Sequence, residues 1–197
     1  MNTESLRKLL EDVRSGKTGI DEAVNSLKKL PFEDLGFAKV DHHRSIRKGF
    51  PEVIYSEGKT VEQIKTIVKR LMESDNNIMA TRAGREVFEG IREVCGDAEY
   101  HELARIVVIR KKEVPVPEKR IAVVSAGTSD IPVAEEAAVT AEVMGNLVDR
   151  VYDVGVAGIH RLFANIDTLT GANVIIVVAG MEGALASVVG GMVDKPV

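Results

Sequence analysis

A run of small polar residues follows the first of three apolar segments in the C-terminal half of the chain. Ile121–Val124 leads directly into Ser-Ala-Gly-Thr-Ser-Asp at 125–130, and Pro132 stands where it can open a helix. Beyond the carboxyl end of a parallel strand, backbone N–H groups at a helix start favour anions. The run therefore indicates a phosphate or carboxylate site, the alternative being a tight turn that caps a helix. Because it matches neither GxGxxG nor a Walker sequence, no motif supports nucleotide binding.

A histidine and an arginine follow the second apolar segment. His160 and Arg161 come after Arg150–Val154 and the small-residue run Gly155–Gly158. A histidine can exchange a proton near neutral pH, and an arginine can hold a carboxylate or phosphate through two parallel hydrogen bonds. Taken alone, His160 is better interpreted as a helix-start residue than as a catalyst.

A glutamate follows the third apolar segment, Asn173–Val178. Gly180 and Glu182 belong to a small-residue turn there, and a glutamate near a helix N-terminus is ordinarily favoured by the helix dipole. However, three successive strand ends each supply a small-residue turn and an ionisable group. Since the carboxyl ends of parallel strands lie at one edge of a sheet, this convergence favours a functional site over capping alone.

A further group of basic residues lies in the N-terminal half. His42, His43 and Arg44 form one cluster, and Arg82 ends the next predicted parallel strand. Adjacent histidines do not share a helix or strand face, so this pair is a poor metal site. The group is interpreted either as a solvated basic turn or as an anion-binding strand end.

The surrounding pattern predicts an α/β protein in two parts. Helical stripes and short strands alternate first, and strands at 121–124, 150–154 and 173–178 then alternate with helices at 132–145, 159–167 and 182–192. Uniformly apolar strands are typical of a parallel sheet covered on both faces, which predicts a three-layer α/β/α domain. The predicted boundaries are a helical pair at 1–36, an α/β domain at 37–112 with a strand over 100–109, a linker at 113–120, and the three-layer domain at 121–197.

Composition excludes several protein classes. The chain has 197 residues and a net charge of −4, and no basic block long enough to follow a nucleic-acid backbone. No apolar stretch approaches the roughly 20 residues of a membrane span, and the N-terminus lacks an apolar signal core. Cys95 is the single cysteine; it lies on a helix stripe, where a buried structural role is expected, and one cysteine fits a reducing, cytoplasmic location.

The last residues, 194–197, resemble the start of another strand, so the sequence predicts a sheet that stops short of completion.

These motifs together resemble the LarB family, whose C-terminal domain is similar to the aminoimidazole ribonucleotide carboxylase PurE. The resemblance is carried by the run at 125–130 with Pro132, by Gly-Ile-His-Arg at 158–161, by Ala-Gly-Met-Glu-Gly at 179–183 and by the last residues, 191–197. The upstream run 39–44 and the segments 49–53 and 57–60 resemble the domain that LarB has and PurE lacks.

The resemblance implies an enzyme of nickel-pincer nucleotide synthesis, which makes the cofactor of lactate racemase. Such an enzyme carboxylates the pyridinium ring of nicotinic acid adenine dinucleotide with CO2 or bicarbonate. It also hydrolyses the phosphoanhydride, giving pyridinium-3,5-dicarboxylate mononucleotide and AMP. In the family a cysteine thiolate adds to the ring and makes it nucleophilic toward CO2. That cysteine lies beyond the strand that Pro196 and Val197 begin, and Cys95, in the other domain, does not correspond to it.

The resemblance also implies roles for individual residues. The catalytic candidates are His160 for proton transfer, Glu182 for orienting the ring or a metal-bound water, and Asp130. The substrate-binding candidates are Ser125, Gly127, Thr128, Ser129, Arg161, Gly180, His42, His43, Arg44 and Arg82. Because phosphoanhydride hydrolysis benefits from a divalent ion, Mg2+ is an expected cofactor with unassigned ligands. A homo-oligomer is implied, an octamer as in PurE.

Two other functions stay open at this point. One is a PurE-type carboxylase or mutase that acts on aminoimidazole ribonucleotide. The other is a nucleotide-binding module without the catalytic thiol, which would be stabilised by its ligand but would not turn it over. Neither a membrane nor a nucleic acid is expected as a partner.

Overall fold

The protein is described by a computed structural model that covers residues 3–28, 32–42, 44–74, 76–110, 113–114 and 118–197. The chain divides into two units, Met1–Tyr100 with Val107–Glu113 and His101–Ile106 with Val114–Val197. Over the described ranges, no helix combines the length and apolarity that crossing a bilayer requires. Pro31, at which the sequence predicts the end of the second helix, and residues 115–117 of the predicted linker fall outside the described residues.

The N-terminal helical pair is confirmed. Helices α1 (Thr3–Arg14) and α2 (Ile20–Lys28) are joined by a turn in which Gly16 has a φ of +75°. Strands β1 (Phe32–Asp34) and β2 (Lys39–Asp41) then form an antiparallel pair. Strand β1 thus lies within residues 1–36, which the sequence analysis assigned to the helical pair, and β2 follows the Gly36 turn.

A four-stranded mixed sheet follows in the same region, in the order β3-β4-β6-β5. Its elements are α3 (Arg44–Lys48), β3 (Val53–Tyr55), α4 (Val61–Leu71), β4 (Ile78–Thr81), α5 (Arg85–Val94), β5 (Glu99–His101) and β6 (Ile106–Ile109). Strands β3 and β4 are parallel, as their crossover through α4 requires, and β6 runs antiparallel to β4. The apolar stripe of α4, which includes Ile64 and Val68, is fully buried against this sheet.

The single strand predicted over 100–109 is wrong. A turn separates β5 from β6, because the N–H of Arg105 donates to the carbonyl of Glu102 at 3.1 Å and Arg105 takes a φ of +51°. Polar Glu102 and Arg105 interrupt the apolar run, and the structure uses them as turn residues.

The C-terminal region is a three-layer α/β/α domain built on a parallel sheet in the order β8-β7-β9, which confirms the predicted fold class. Its elements are β7 (Arg120–Ser125), α6 (Ile131–Val143), β8 (Leu147–Val151), α7 (Ile159–Phe163), α8 (Ile166–Gly171), β9 (Val174–Val178) and α9 (Ala184–Met192). Val123 packs on α6, whereas Ala122 and Val124 pack on the opposite face with Leu169 of α8 and Leu185 of α9. Beside β9, the N–H of Ile175 donates to the carbonyl of Pro196 at 2.9 Å.

Two predicted elements of this domain need correction. The strand predicted over 150–154 lies at 147–151, because Asp153 has a φ of +58° and leaves the ladder. The helix predicted over 159–167 is broken into α7 and α8. The cause is Asn165, whose side-chain amide donates to the carbonyl of Arg161 at 2.9 Å and so competes with the helical backbone.

A polar cluster fixes α6 to the edge strand β8. The Arg150 guanidinium contacts Glu135 at 2.9 Å and Glu142 at 2.5 Å, and the Tyr152 hydroxyl donates to Glu135 at 2.8 Å. Burial, and then the hydrogen bond to the Glu135 carboxylate, raise the pKa of Tyr152 well above its usual value. The cluster therefore keeps this phenol protonated in the folded protein when an exposed tyrosine would already ionise.

We expect Tyr152 to ionise at a higher pH than an exposed tyrosine does. Its folded pKa lies above its unfolded pKa, so its contribution to stability is complete below about pH 10 and is lost as the pH rises further. An absorbance titration at 295 nm should show one late tyrosinate component that is absent from Tyr152→Phe. The assignment would be contradicted if Tyr152→Phe kept the late tyrosinate component and lost a component that appears at lower pH.

Candidate functional site

The turns after the three parallel strands are joined to one another by backbone hydrogen bonds. Past the end of β7, the N–H of Ala126 donates to the carbonyl of Val178 on β9 at 2.9 Å. On the other side, the N–H groups of Val154 and Gly155 donate to the carbonyls of Ser125 and Ala126, at 3.0 and 2.8 Å. The three turns thus form one continuous edge, called here the carboxyl rim, made of residues 125–130, 152–161 and 179–183.

Gly155 is required by this close approach. A Cβ atom at this position would lie 2.8 Å from the carbonyl oxygen of Ala126, which is a backbone atom. Real Cβ atoms do not approach so closely, so a side chain here would push the β7 and β8 turns apart.

We therefore expect Gly155→Ala to lower the free energy of unfolding by about 1–3 kcal/mol, the usual cost of overpacking. Gly171→Ala is the matched control, since a Cβ there would meet nothing within 4 Å. Chemical denaturation of both variants measures the difference. Equal stability of the two variants would show that the rim turns are not held at this distance.

Asp130 links two turns of the rim through its carboxylate. One oxygen, Oδ2, accepts from the N–H of Gly127 at 2.8 Å, and the other, Oδ1, accepts from the N–H of Gly180 at 3.1 Å. The second bond crosses from the β7 turn to the β9 turn. Asp130 therefore fixes the position of Gly127 and Gly180, both of which were predicted to contact substrate.

Ser125 is fully buried, and its Oγ accepts from the N–H of Asp153 at 3.2 Å. Its partner in the structure is thus the β8 turn. Thr128 and Ser129 lie in a short 3-10 turn and are exposed, so their hydroxyl groups are free to meet a ligand. Of the predicted polar residues in this run, these two are the ones open to solvent.

His160, predicted to transfer a proton, and Glu182, predicted to orient the ring or a metal-bound water, are both exposed on the rim. His160 is the second residue of α7, and Glu182 lies in the turn before α9. Among the described residues, neither side chain has a hydrogen-bond or ion-pair partner. Next to Glu182, Met181 is fully exposed with a φ of +53°. Strained backbone of this kind is concentrated at functional sites.

Arg161 points back to the β8 turn. Its Nη1 lies 2.5 Å from Oδ2 of Asp153, and its guanidinium occupies the space where a side chain at Gly158 would be. Asp153 is a rim residue that the sequence analysis missed. It was missed because the strand was predicted to run to residue 154, which put Asp153 inside the strand rather than in the turn after it.

The remaining candidates belong to the N-terminal unit, and each is described by itself. His42 follows β2, with its Nε2 at 3.3 Å from Oε2 of Glu33, and Arg44 is the exposed first residue of α3. Arg82 follows β4 and has a φ of +53°. His43 lies outside the described residues. Whether these groups meet the substrate of the carboxyl rim stays a prediction.

A small cavity in this unit has mainly polar walls. His42 lines it together with Asp41, Glu52 and Asn77, and the N–H of Asp41 donates to Glu52 at 2.5 Å. These oxygen atoms suit a ligand that donates hydrogen bonds more than a phosphate. In the described part of the chain, no three His, Cys, Asp or Glu side chains are grouped to hold a metal ion.

Comparison with known proteins covers both units. A family model described as the LarB/PurE-like N-terminal domain matches residues 32–112. An uncharacterised protein of Methanocaldococcus jannaschii, MJ0165, is 38% identical over 203 residues, which cover 98% of this chain and 79% of that protein. This similarity therefore includes the carboxyl rim as well as the N-terminal unit.

Proposed function

Because the chain belongs to the LarB/PurE-like family, a carboxylase-type family, we propose that it takes part in carboxylation of the pyridinium ring of nicotinic acid adenine dinucleotide and hydrolysis of its phosphoanhydride. The products are pyridinium-3,5-dicarboxylate mononucleotide and AMP. The observation that carries the proposal is the carboxyl rim. Its turns carry His160 and Glu182, which are exposed and, among the described residues, have no hydrogen-bond or ion-pair partner. These turns are hydrogen-bonded to the turn that carries the hydroxyl groups of Thr128 and Ser129.

The rim residues can supply distinct parts of this chemistry. Carboxylation replaces a ring hydrogen by a carboxylate, so a base must accept one proton. His160 can act as this base because it is exposed and has no hydrogen-bond or ion-pair partner in the described part of the chain. Glu182 can orient the positively charged ring by its negative charge. Thr128 and Ser129 offer hydroxyl donors to the carboxylate or phosphate oxygens. The family's chemistry also needs a thiolate, and Cys95 lies in the other unit.

We further propose Mg2+ as a cofactor that arrives with the substrate. The described residues provide no three-ligand cluster for it. Mg2+ commonly binds through one or two carboxylates plus substrate phosphates. Glu182, which has no partner among the described residues, could contribute one carboxylate oxygen. When bound, the ion would neutralise charge on the phosphoanhydride.

The test is an assay for AMP. The 197-residue chain, and in parallel the protein isolated from its native source, are incubated with nicotinic acid adenine dinucleotide, bicarbonate and Mg2+. We expect AMP and a carboxylated mononucleotide from the native protein, detected by chromatography and mass spectrometry. Incorporation of 14C from labelled bicarbonate reports the carboxylation step separately from hydrolysis.

Two outcomes would overturn the proposal. Turnover of aminoimidazole ribonucleotide with no AMP release would identify a PurE-type carboxylase or mutase. Thermal stabilisation by the dinucleotide without turnover by either preparation would identify a nucleotide-binding module.

A further inference from the structure

We propose that Asp153 and Gly158 are positioning residues that hold the Arg161 guanidinium at the carboxyl rim to receive an anionic group, a phosphate or carboxylate, of the substrate. The inference rests on the proposed function for the identity of that substrate. The arrangement itself stands on contacts within the C-terminal domain. Neither Asp153 nor Gly158 was among the candidate site residues.

Asp153 is placed by the end of strand β7. Its backbone has a φ of +58°, a left-handed conformation that is uncommon for non-glycine residues and that aspartate tolerates better than most. Its N–H donates to Oγ of the fully buried Ser125 at 3.2 Å, and the next residue, Val154, donates to the Ser125 carbonyl at 3.0 Å. The β7 strand thus fixes the direction of the Asp153 side chain.

Asp153 and Gly158 together then fix Arg161. The Nη1 of Arg161 lies 2.5 Å from the Asp153 carboxylate. On a second side, a Cβ atom at Gly158 would lie 2.8 Å from Nε and 3.1 Å from Nη2, so the guanidinium rests against bare backbone. An arginine has five N–H donors in a planar fork, and one ion pair leaves several of them for another partner. The side chain remains 39% exposed, so these donors can meet a ligand.

Asp153 could either position Arg161 or compete with the substrate for it. These two roles predict opposite effects on anion affinity when Asp153 is removed. If Asp153 only competed with substrate for Arg161, its removal would add a net positive charge and tighten anion binding. If Asp153 holds the fork in place, its removal frees a long side chain that must be ordered again on binding, and affinity falls. Two restraints on one side chain, each from a turn fixed by β7, favour positioning.

Two variants separate these effects. Asp153→Asn removes the charge, whereas Gly158→Ala leaves every charge intact and displaces the guanidinium, at a φ of −130° that alanine readily adopts. Calorimetric titrations with nicotinic acid adenine dinucleotide and with inorganic pyrophosphate measure the affinity. We expect both variants to bind both probes about tenfold more weakly than wild type, because an ordered donor pair is lost.

Asp149→Asn is the matched control. It breaks the Arg120–Asp149 pair, also at 2.5 Å, which involves the first residue of β7 and therefore lies at the opposite edge of the sheet. This control should bind both probes like wild type. The 15N relaxation of the Arg161 Nε–H group gives a readout without ligand, and we expect it to become mobile in both rim variants.

The following results would overturn the inference about Arg161, the proposed substrate, or both. Tighter binding by Asp153→Asn, or wild-type affinity and wild-type Nε–H relaxation in both variants, would overturn the inference. Wild-type protein that binds pyrophosphate but not the dinucleotide would overturn the proposed substrate while the variants still test the positioning of Arg161. Wild-type protein that binds neither probe would overturn both.

Discussion

Replacement of His160 by glutamine is expected to lower the rate of AMP and carboxylate formation by about 10²- to 10⁴-fold, the usual contribution of a general acid or base. Replacement of Glu182 by glutamine is expected to lower it by about 10²-fold, because the group that orients the ring loses its charge. Glutamine is polar and of similar size to each side chain, but it cannot exchange a proton near neutral pH. Both side chains are exposed and, within the described residues, unpartnered. Their removal should therefore leave the melting temperature within about 1 °C, as for surface substitutions in general.

The measurement is a single-turnover assay, paired with thermal unfolding. Glu118→Gln is the matched control, since Glu118 is an exposed carboxylate at the start of the same domain and away from the rim. A parallel loss of melting temperature and activity would assign His160 and Glu182 to helix capping. The rate of each step is also measured as a function of pH. A step for which the His160 variant lacks one of the pH-dependent changes of the wild type is the step in which the imidazole exchanges its proton.

The rim positions that could be predicted from the sequence all follow from the assignment of parallel strands. Apolar runs such as Ile121–Val124 could be assigned as parallel strands from their periodicity, and parallel strands oblige their carboxyl ends to meet. Position on that edge was therefore predictable for His160 and Glu182. The exact strand limits were not, because Asp153 leaves β8 for a left-handed turn that depends on a hydroxyl group 28 residues away.

Partners across the rim were harder to predict than positions along the chain. Ser125 and Thr128 belong to the same polar run, but the first is fully buried and the second exposed. The difference arises because Ser125 still belongs to β7, where its side chain points into the domain. Similarly, Asn165 looks like any polar helix residue until its amide takes the carbonyl of Arg161 and ends the helix. Such competition between side chain and backbone is decided by geometry rather than by periodicity.

Substitution of Asp130 by asparagine is expected to weaken dinucleotide binding by about tenfold to 100-fold, because the carboxylate holds two turns that are predicted to contact the substrate. In wild type both oxygens accept, from the N–H of Gly127 at 2.8 Å and from that of Gly180 at 3.1 Å. An amide can accept at only one of these places, and its NH2 group would face another N–H donor. One of the two turns must then move.

The stability cost should be of similar size, about 1.5–3 kcal/mol for one hydrogen bond to a charged group. Asp34→Asn is the matched control. Its carboxylate also accepts from a glycine N–H, that of Gly36 at 2.8 Å, but in an exposed hairpin of the N-terminal unit. Calorimetry with nicotinic acid adenine dinucleotide, together with chemical denaturation, separates the two effects. If Asp130→Asn loses stability but binds the dinucleotide with wild-type affinity, Asp130 is only a helix-start residue and the β7 and β9 turns do not need to be held together for the ligand.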